Sequence, residues 1–411
     1  MTTEREPRPD RADWRTIGEG SAAVHAGNST DEHSGAIKTP LTLANSYAFP
    51  YDPRELDWNV TDQLLYTRTS GVNQLALQRK IAALEHAEDS VVLASGVAAM
   101  HAVLFTYLRT GDHVVCSREI YEATYNLFVE LLPHKYGIAA DLVDITDLDA
   151  VQAAIRPETK LIVTESIANP TTTIADLPAL AAIAEAHDVL LVVDATYTPP
   201  PLLRALEHGV DLVVHSLTKY INGHGDALGG AVAGRTSLID PIKQQAMVDA
   251  GGVISPFNAW LIQRGSVTLP LRVARIVETA QRVAEWLEAD DRIEWVRYPG
   301  LDSHPQRDLA RRLYPRGSGG MMSFAPKGGP DRFNRMVAQL RLITSTTSLG
   351  HDETLIVHIG AGGVRQELYG EPFTRTGQLR LSIGLRGCGR PDRRSRRGPQ
   401  PVLTWRPAPV A

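Results

Sequence analysis

One lysine of this chain stands where a reactive amine would be expected. Lys219 follows the apolar, strand-like run 211–216 and precedes the glycine-containing loop 222–226. Burial in such a setting penalises the ammonium form, which lowers the pKa of the lysine and frees its amine as a nucleophile. An ordinary surface lysine at the exit of a strand is the alternative, and this segment alone leaves both interpretations open.

A second candidate, Asp194, ends the apolar run 189–194. A carboxylate at the end of a buried strand needs a partner. A pyridinium nitrogen would serve, because the aspartate would keep the ring positively charged and the ring would then act as an electron sink. A helix cap or an ion pair with an arginine is the alternative, and taken alone this position favours the alternative.

The third candidate is a phosphate site at the Ser-Gly-Val turn 95–97, which opens a helical pattern. The free N–H groups and the positive dipole end of a helix suit a phosphate. Hydroxyl groups of Ser216 and Thr218 could donate to the same phosphate, although many such turns and strand ends make only ordinary hydrogen bonds. The order of phosphate turn, aspartate and lysine is typical of pyridoxal 5′-phosphate (PLP) enzymes of fold type I. It predicts that Lys219 forms the Schiff base to the cofactor.

These residues need a scaffold that brings strand ends together. Continuous apolar strands that alternate with helical patterns predict an α/β fold with a mostly parallel sheet buried on both faces. Ligands of such sheets bind beyond the carboxyl ends of the strands, where the three candidates stand. Strands are predicted at 89–96, 112–116, 160–165, 189–194, 211–216 and 321–324, and helices at 76–85, 97–108, 176–187, 202–208 and 267–290.

Composition excludes several classes of protein. Apolar residues make up 43% of the chain and charged residues 22%, which is usual for a soluble enzyme. A net charge of −5 gives no basic footprint for nucleic acid. No apolar run reaches the roughly 18 residues of a membrane span, and the first twenty residues do not resemble a secretory signal. Two cysteines, Cys116 and Cys388, are too few for a disulfide framework and predict a cytoplasmic location.

The length of 411 residues predicts more than one packed unit. We expect an N-terminal arm over 1–65, a PLP-binding domain over 66–261 and a C-terminal α/β domain over 262–385. The segment 386–411 is rich in arginine and proline, and we expect it to be a disordered or aberrant tail. An abrupt change of composition after Leu385 is the basis of a further hypothesis, that the reading frame shifted there.

Ten motifs agree in order and spacing with one family. From about Ala23 to Gly384 the chain resembles the Cys/Met-metabolism PLP enzymes, which include cystathionine gamma-synthase, cystathionine gamma- and beta-lyases, methionine gamma-lyase and O-acylhomoserine sulfhydrylases. The motifs are Ala-Val-His-Ala-Gly (23–27), Tyr-Thr-Arg (66–68), Ser-Gly (95–96), Tyr121, Glu-Ser-x-x-Asn-Pro (165–170), Asp-x-Thr (194–196), Ser-x-Thr-Lys with Gly-His-x-Asp (216–219 and 223–226), Tyr-Pro-Gly-Leu-x-Ser-His-Pro (298–305), Ser-Leu-Gly (348–350) and Arg-Leu-Ser-Ile-Gly (380–384).

The resemblance implies a role for each motif. Lys219 and Tyr121 would be catalytic, with Lys219 as proton shuttle and the Tyr121 ring stacked on the pyridine. Arg380 would bind the α-carboxylate of the substrate through its two-pronged guanidinium. No metal is implied. The implied cofactor-binding residues are Tyr66, Arg68, Ser95, Gly96, Val97, Tyr121, Asn169, Asp194, Thr196, Ser216, Thr218 and Lys219, and the implied substrate-binding residues are Tyr121, Asn169, Ser348 and Arg380.

The resemblance also implies an assembly. Tyr66 and Arg68 would bind the phosphate in the neighbouring subunit, so the active unit would be a homodimer or a homotetramer with shared active sites. Without the resemblance, surface ion pairs would be the preferred interpretation of Arg68 and Arg380. We expect a small amino acid as substrate, with no nucleic acid and no membrane as partner.

Several departures from the family bear on the substrate. Gly-Val-Asn at 71–73 stands where the family usually has Asn-Pro-Thr, and Ala195 stands where asparagine is common. Glu122 and Ala123 follow Tyr121, where many members of the family have a glycine. The cysteine found near this tyrosine in methionine gamma-lyases is absent, which argues against that activity. The glycine-rich run 358–363 indicates a wider or more mobile entrance, and hence a bulky or unusual second substrate, as in specialised metabolism.

The predicted activity is a gamma-replacement or gamma-elimination on an amino acid derived from homoserine, homocysteine or methionine, by a lyase or transferase of the trans-sulfuration type. A beta-lyase of cystathionine or of a cysteine conjugate is the first alternative, and an aminotransferase is another. A catalytically silent PLP-binding subunit is the third, against which the intact Lys219, Asp194, Tyr121 and Arg380 argue. The sequence leaves open the leaving group, the nucleophile and the choice between dimer and tetramer.

Overall fold

A computed structural model describes residues 17–49, 52, 54, 63–360 and 364–386 of the protein. Part of the predicted arm, the end of the glycine-rich run 358–363, and the predicted tail after residue 386 lie outside the described residues. No helix within the described ranges is both long and apolar enough to cross a membrane.

A seven-stranded sheet forms the centre of the larger unit. Its strand order is β1-β7-β6-β5-β4-β2-β3, and the pairs β2 with β3, β2 with β4, β4 with β5 and β5 with β6 are parallel. Only β7 runs antiparallel to its two neighbours. The prediction of an α/β fold with a mostly parallel sheet is confirmed. The strands are β1 (Asp89–Leu93), β2 (His113–Ser117), β3 (Ala139–Val143), β4 (Thr159–Glu165), β5 (Leu190–Asp194), β6 (Leu212–Ser216) and β7 (Gly230–Gly234).

Both faces of this sheet are buried. Successive residues of β5 point to opposite faces, and Val192 and Val193 accordingly belong to two separate apolar clusters. This double burial is why the strands appear in the sequence as continuous apolar runs. The helices of this unit are α1 (Glu19–His25), α2 (Val72–Glu85), α3 (Gly96–Tyr107), α4 (Glu122–Asn126), α5 (Leu148–Ala154), α6 (Leu177–Ala186), α7 (Thr236–Ile242) and α8 (Pro256–Ser266), with π-helical segments at Leu127–Tyr136 and Lys243–Asp249.

A second sheet of five strands, in the order β10-β11-β12-β9-β8, is mostly antiparallel. The long helix predicted at 267–290 is α9, which buries an apolar stripe that includes Val273, Ile276 and Ala280. The remaining elements are α9 (Leu269–Glu288), β8 (Ile293–Arg297), α10 (Arg307–Leu313), β9 (Met321–Pro326), α11 (Gly329–Ala338), β10 (Thr344–Ser345), β11 (Leu355–Ile359), α12 (Val364–Glu367), α13 (Phe373–Thr376) and β12 (Gln378–Ser382).

Two local predictions were wrong, and one strand was not predicted. The helix expected over 202–208 is only a 3₁₀ turn, Ala205–His208, which follows three consecutive prolines at 199–201 that cannot supply helical N–H groups. Helix α2 begins at Val72, four residues before its predicted start. Strand β7 was not predicted, because its Gly-Ala-Val-Ala-Gly sequence has little of the side-chain bulk by which strands are recognised.

Candidate active site

The carboxyl ends of three neighbouring parallel strands form the floor of the site. Glu165 ends β4 and is paired in register with Asp194, which ends β5. Ser216 ends β6, the next strand along. Lys219 follows in a tight turn, in which its backbone N–H donates to the Ser216 carbonyl at 3.2 Å. The parallel topology therefore gathers at one edge residues from three separate segments of the sequence.

Lys219 is half-buried, and its ammonium group is turned toward the second sheet. Nζ donates to the Ser348 hydroxyl at 2.7 Å. Burial, and then the nearby positive charge of Arg380, lower the pKa of Lys219 to about 8. An amine with such a pKa is neutral in a useful fraction of molecules at neutral pH, so it can act both as nucleophile and as base.

Asp194 and Glu165 form a pair of buried acids at adjacent strand ends. Burial raises the pKa of Asp194, while hydrogen bonds from Thr196 act in the opposite direction; the Thr196 N–H donates to Oδ1 at 2.9 Å. Burial, and then the charge of Asp194, raise the pKa of Glu165 to about 8. Two buried carboxyl groups at adjacent strand ends resist ionising together, so a cationic partner here would be strongly stabilised.

The N-terminus of α3 lies against the end of β6. Ser95 caps this helix by accepting a hydrogen bond from the Ala98 N–H at 3.1 Å. A side chain at Gly96 would meet Ser216, because a Cβ there would lie 2.6 Å from the Ser216 Cβ. The N–H groups of Gly96 and Val97 precede the hydrogen-bond ladder within the helix and face this edge with the positive end of the dipole. The arrangement has the form of a phosphate cradle.

Thr196 and Thr218 stabilise the loops around the cradle. The Thr196 hydroxyl accepts a hydrogen bond from the Ser216 N–H at 2.7 Å. The Thr218 hydroxyl donates to the Gly229 carbonyl at 3.3 Å and accepts from the Gly229 N–H at 3.2 Å. Both threonines therefore hold the strand ends in place, and each remains half-buried at the edge of the site.

Arg380 brings a positive charge from β12 of the second sheet. It is 8% exposed, and its two terminal nitrogens donate to the Asn169 side-chain oxygen at 3.0 Å and to the Ser348 carbonyl at 2.8 Å. Its Nε has no hydrogen-bond partner within the described ranges. A buried guanidinium that donates to these two neutral oxygens is suited to an anionic ligand, and a carboxylate matches its geometry.

Tyr121 and Asn169 are positioned by the same acid. The Glu165 carboxylate accepts the Tyr121 N–H at 2.7 Å and the Asn169 N–H at 2.8 Å, one on each oxygen. The Tyr121 side chain is 45% exposed and free to cover a ligand. Glu165 was not among the predicted site residues, although its motif with Asn169 was noted in the sequence and could have indicated its role.

The structure brings most of the predicted site residues together but leaves two apart. Nothing in the described chain joins Tyr66 or Arg68 to Lys219 or to the α3 cradle. These two side chains are exposed and contact each other, with the Arg68 guanidinium 5.2 Å from the centre of the Tyr66 ring. A second residue that sequence reasoning missed is His351, whose Nε2 lies 3.0 Å from the Ser348 hydroxyl.

Comparison with known proteins adds independent information. The profile of the family described as Cys/Met metabolism PLP-dependent enzyme matches residues 20–386. A canavanine gamma-lyase of Pseudomonas canavaninivorans is 56% identical over 380 residues, which cover 92% of this chain and 95% of that protein. An L-methionine gamma-lyase of Pseudomonas deceptionensis is 38% identical, over 90% of this chain and 94% of that protein. The crystal structure of metB from Corynebacterium glutamicum superposes with a TM-score of 0.84 at 32% identity, and covers 92% of this chain and 96% of that chain.

Proposed function

We propose that this chain, which belongs to the Cys/Met-metabolism family of PLP-dependent enzymes, eliminates a nitrogen-rich group from the γ carbon of a homoserine-derived amino acid. It is an enzyme of the trans-sulfuration type that performs gamma-elimination or gamma-replacement. The single observation that carries the choice of substrate is the 56% identity to canavanine gamma-lyase over nearly the whole chain.

The polar ends of PLP match three groups of this site. Because Gly96 has no side chain, the N-terminus of α3 can lie directly against Ser216, where a Cβ would collide. The free N–H groups of the helix are thereby held at this edge, as a phosphate cradle requires. Asp194 offers a buried carboxylate for a ring nitrogen, and its raised pKa makes it a better proton acceptor. The Lys219 amine, with its pKa of about 8, suits covalent attachment to an aldehyde. The residues therefore fit the cofactor of the family.

When bound, PLP supplies a positively charged ring that withdraws electrons from the α carbon of the amino acid. The protein does the rest by binding and by moving protons. Arg380 holds the α-carboxylate and thereby fixes which bonds of the α carbon face Lys219. Lys219 accepts the α proton at Nζ, gives that proton up, and then, as a neutral amine again, removes a proton from the β carbon, which allows the γ substituent to leave. Asp194 keeps the ring nitrogen protonated, and Tyr121 covers the ring and shields the site from water.

The leaving group we propose is guanidine-like. L-canavanine carries a guanidinooxy group on its γ carbon, which is positively charged when protonated. Glu122 directly follows Tyr121 and is exposed, and its carboxylate has no hydrogen bond or ion pair with any described residue. A carboxylate beside the tyrosine would attract a cationic substrate tail and would repel none of the neutral sulfur substrates.

The test compares substrates on one preparation. PLP-loaded enzyme is given L-canavanine, L-methionine and L-cystathionine separately, and release of the side-chain fragment, oxo acid and ammonia is followed. We expect kcat/KM for canavanine to exceed that for methionine by about tenfold or more, because only canavanine engages a charged partner. Equal or faster release of oxobutyrate from methionine would contradict the proposal. Pyruvate from cystathionine would indicate the beta-lyase instead.

The proposed active unit is a homodimer or a pair of homodimers, in which Tyr66 and Arg68 complete the neighbour's site. Their exposure and their separation from the site of their own chain support this assignment. Co-expression of Arg68→Ala and Lys219→Ala chains tests it, since a mixed dimer would contain one intact site. We expect the mixture to regain activity that neither variant has alone. A mixture as inactive as its parents would contradict sharing. Location in the cytoplasm stays a prediction.

A further inference from the structure

The hydrogen bonds of Lys219 continue beyond its first partner. Lys219 Nζ donates to the Ser348 hydroxyl at 2.7 Å, and the same hydroxyl lies 3.0 Å from Nε2 of His351. A serine hydroxyl can accept one hydrogen bond while it donates another. The three side chains therefore form a continuous chain along which a proton can pass.

Unusual backbone conformations at two positions keep this hydrogen-bonded series of side chains in place. Ser348 has a φ of 109°, a conformation that non-glycine residues rarely adopt and that needs support from the surrounding structure. Such support comes from the Arg380 hydrogen bond to the Ser348 carbonyl. On the other side, Gly225 has a φ of 69°, and a Cβ there would lie 2.8 Å from the His351 ring. The ring occupies space that only glycine leaves free.

We propose that His351 is a positioning residue that receives a proton from Lys219 through Ser348 and returns it during the reaction. In the forward step, the proton on Lys219 Nζ passes to Ser348 Oγ while the Ser348 hydroxyl proton passes to His351 Nε2. The N–H bond of the lysine breaks, an N–H bond of the imidazole forms, and serine ends as it began. Lys219 thereby becomes a base again without waiting for solvent. The inference deepens the proposed function and rests on the role of Lys219 in it.

The charges around His351 favour the accepting form. Burial, and then the positive charge of Lys219, lower the pKa of His351, while Asp352 and Glu353 act in the opposite direction. Other charged or titratable groups nearby are Arg380, which binds the Ser348 carbonyl, and His224 and Asp226 on the loop that carries Gly225. A neutral imidazole with Nε2 toward a hydroxyl can accept its proton.

Two replacements separate a proton carrier from a structural residue. His351→Gln places an amide where Nε2 was, so it can keep a hydrogen bond to Ser348 but cannot titrate. His351→Leu keeps neither property. The holoenzyme is incubated with glycine in D₂O, because exchange of the α proton requires Lys219 but no leaving group. The pH midpoint of the visible cofactor band, which reports protonation at Lys219 Nζ, is measured on the same samples.

We expect wild-type exchange to fall as the pH drops below the lowered pKa of His351, because His351 must be neutral to accept a proton. His351→Gln should be about tenfold slower above that pH and should lose this acidic limb. His351→Leu should in addition lower the midpoint of the visible band by about half a unit, because Ser348 becomes a poorer acceptor for Lys219. The double variant of His351→Gln with Ser348→Ala should be no slower than Ser348→Ala alone.

The matched control is His101→Gln, since His101 is also half-buried with a pKa lowered by burial but makes no hydrogen bond to Lys219, Ser348 or His351 within the described ranges. It should leave the exchange rate and both pH dependences unchanged. An acidic limb that persists in His351→Gln, or additive losses in the double variant, would overturn the proposal. Glycine exchange does not depend on the γ substituent. Failure to act on canavanine would therefore remove the proposed substrate without deciding the role of His351.

Discussion

Two lysines of this protein have lowered pKa values in different surroundings. Lys80, on α2, is 1% exposed, and burial lowers its pKa to about 7. Its Nζ is bound to the backbone carbonyl of Ala23. Lys219 is half-buried with a pKa of about 8, and it has a hydroxyl partner at an edge where acids, an arginine and a helix N-terminus meet.

The difference teaches that a lowered pKa does not by itself identify a reactive amine. Burial acts on both lysines, and it shifts the sealed one further. What distinguishes Lys219 is access for a ligand, a movable proton partner, and oppositely charged groups placed for the two ends of a cofactor. A desolvated lysine becomes functional only where the fold also leaves space for the molecule with which it reacts.

The largest expected difference comes from replacing each of these two lysines in turn. Lys219→Ala should reduce turnover by about 10³-fold or more, because both covalent attachment and proton transfer are lost. Lys80→Met, which keeps an apolar stem of similar length, should retain the cofactor band and turnover within about twofold. Steady-state kinetics with PLP in excess measure both, and the exposed Lys160→Ala serves as control. Comparable losses of turnover in Lys219→Ala and Lys80→Met would contradict the distinction between the reactive and the sealed lysine.

Arg380→Lys should give the next largest effect. Lysine keeps the charge but loses the two-pronged geometry, so we expect kcat/KM to fall about 10²-fold while the cofactor band is unchanged. Arg375→Lys is the matched control, since Arg375 is exposed and pairs with Glu294 and Glu371. An Arg380→Lys enzyme with ordinary kcat/KM would show that the carboxylate binds elsewhere.

The contrast between the two sheets explains what the sequence could predict. The ends of β4, β5 and β6 were predicted to within one residue, because doubly buried strands are continuous apolar runs and the polar residue after each run stands out. Arg380 was assigned only by resemblance, since it lies in the middle of β12, whose Gln-Leu-Arg-Leu-Ser sequence is neither a continuous apolar run nor followed by a distinct polar residue at that position. His351 was missed because its contact with Ser348 depends on the unusual φ at that serine, which no local pattern indicates.

A smaller effect is expected at the phosphate cradle. Gly96→Ala would place a Cβ 2.6 Å from the Ser216 Cβ and would push α3 away from β6. We expect PLP to bind about tenfold more weakly, because overpacking of this kind typically costs about 1–3 kcal/mol and displaces the helix whose N–H groups form the cradle. Equilibrium dialysis measures the affinity. Gly20→Ala, where no atom lies within 4 Å of the new Cβ, should bind PLP normally.

The last prediction concerns how the free energy of unfolding depends on pH, and its expected effect on activity is the smallest. In the folded protein Lys80 has a pKa lowered from 10.5 to about 7, so the unfolded chain binds more protons between these values. The free energy of unfolding should therefore rise with pH across that window, by at most about 1.4 kcal/mol per pH unit from this group. Lys80→Met should lack this part of the slope, whereas Lys160→Met should keep it. Urea unfolding at several pH values above neutrality measures the difference, and identical slopes for wild type and Lys80→Met would contradict the assignment.

The most direct measurement is the identity of the lysine that carries the cofactor. The PLP-loaded protein is reduced with borohydride, digested and mapped by mass spectrometry. We expect the added pyridoxyl mass on the peptide that contains Lys219, and none on the peptide that contains Lys80. Label on Lys80, or on no single lysine, would contradict the account of the active site at its centre.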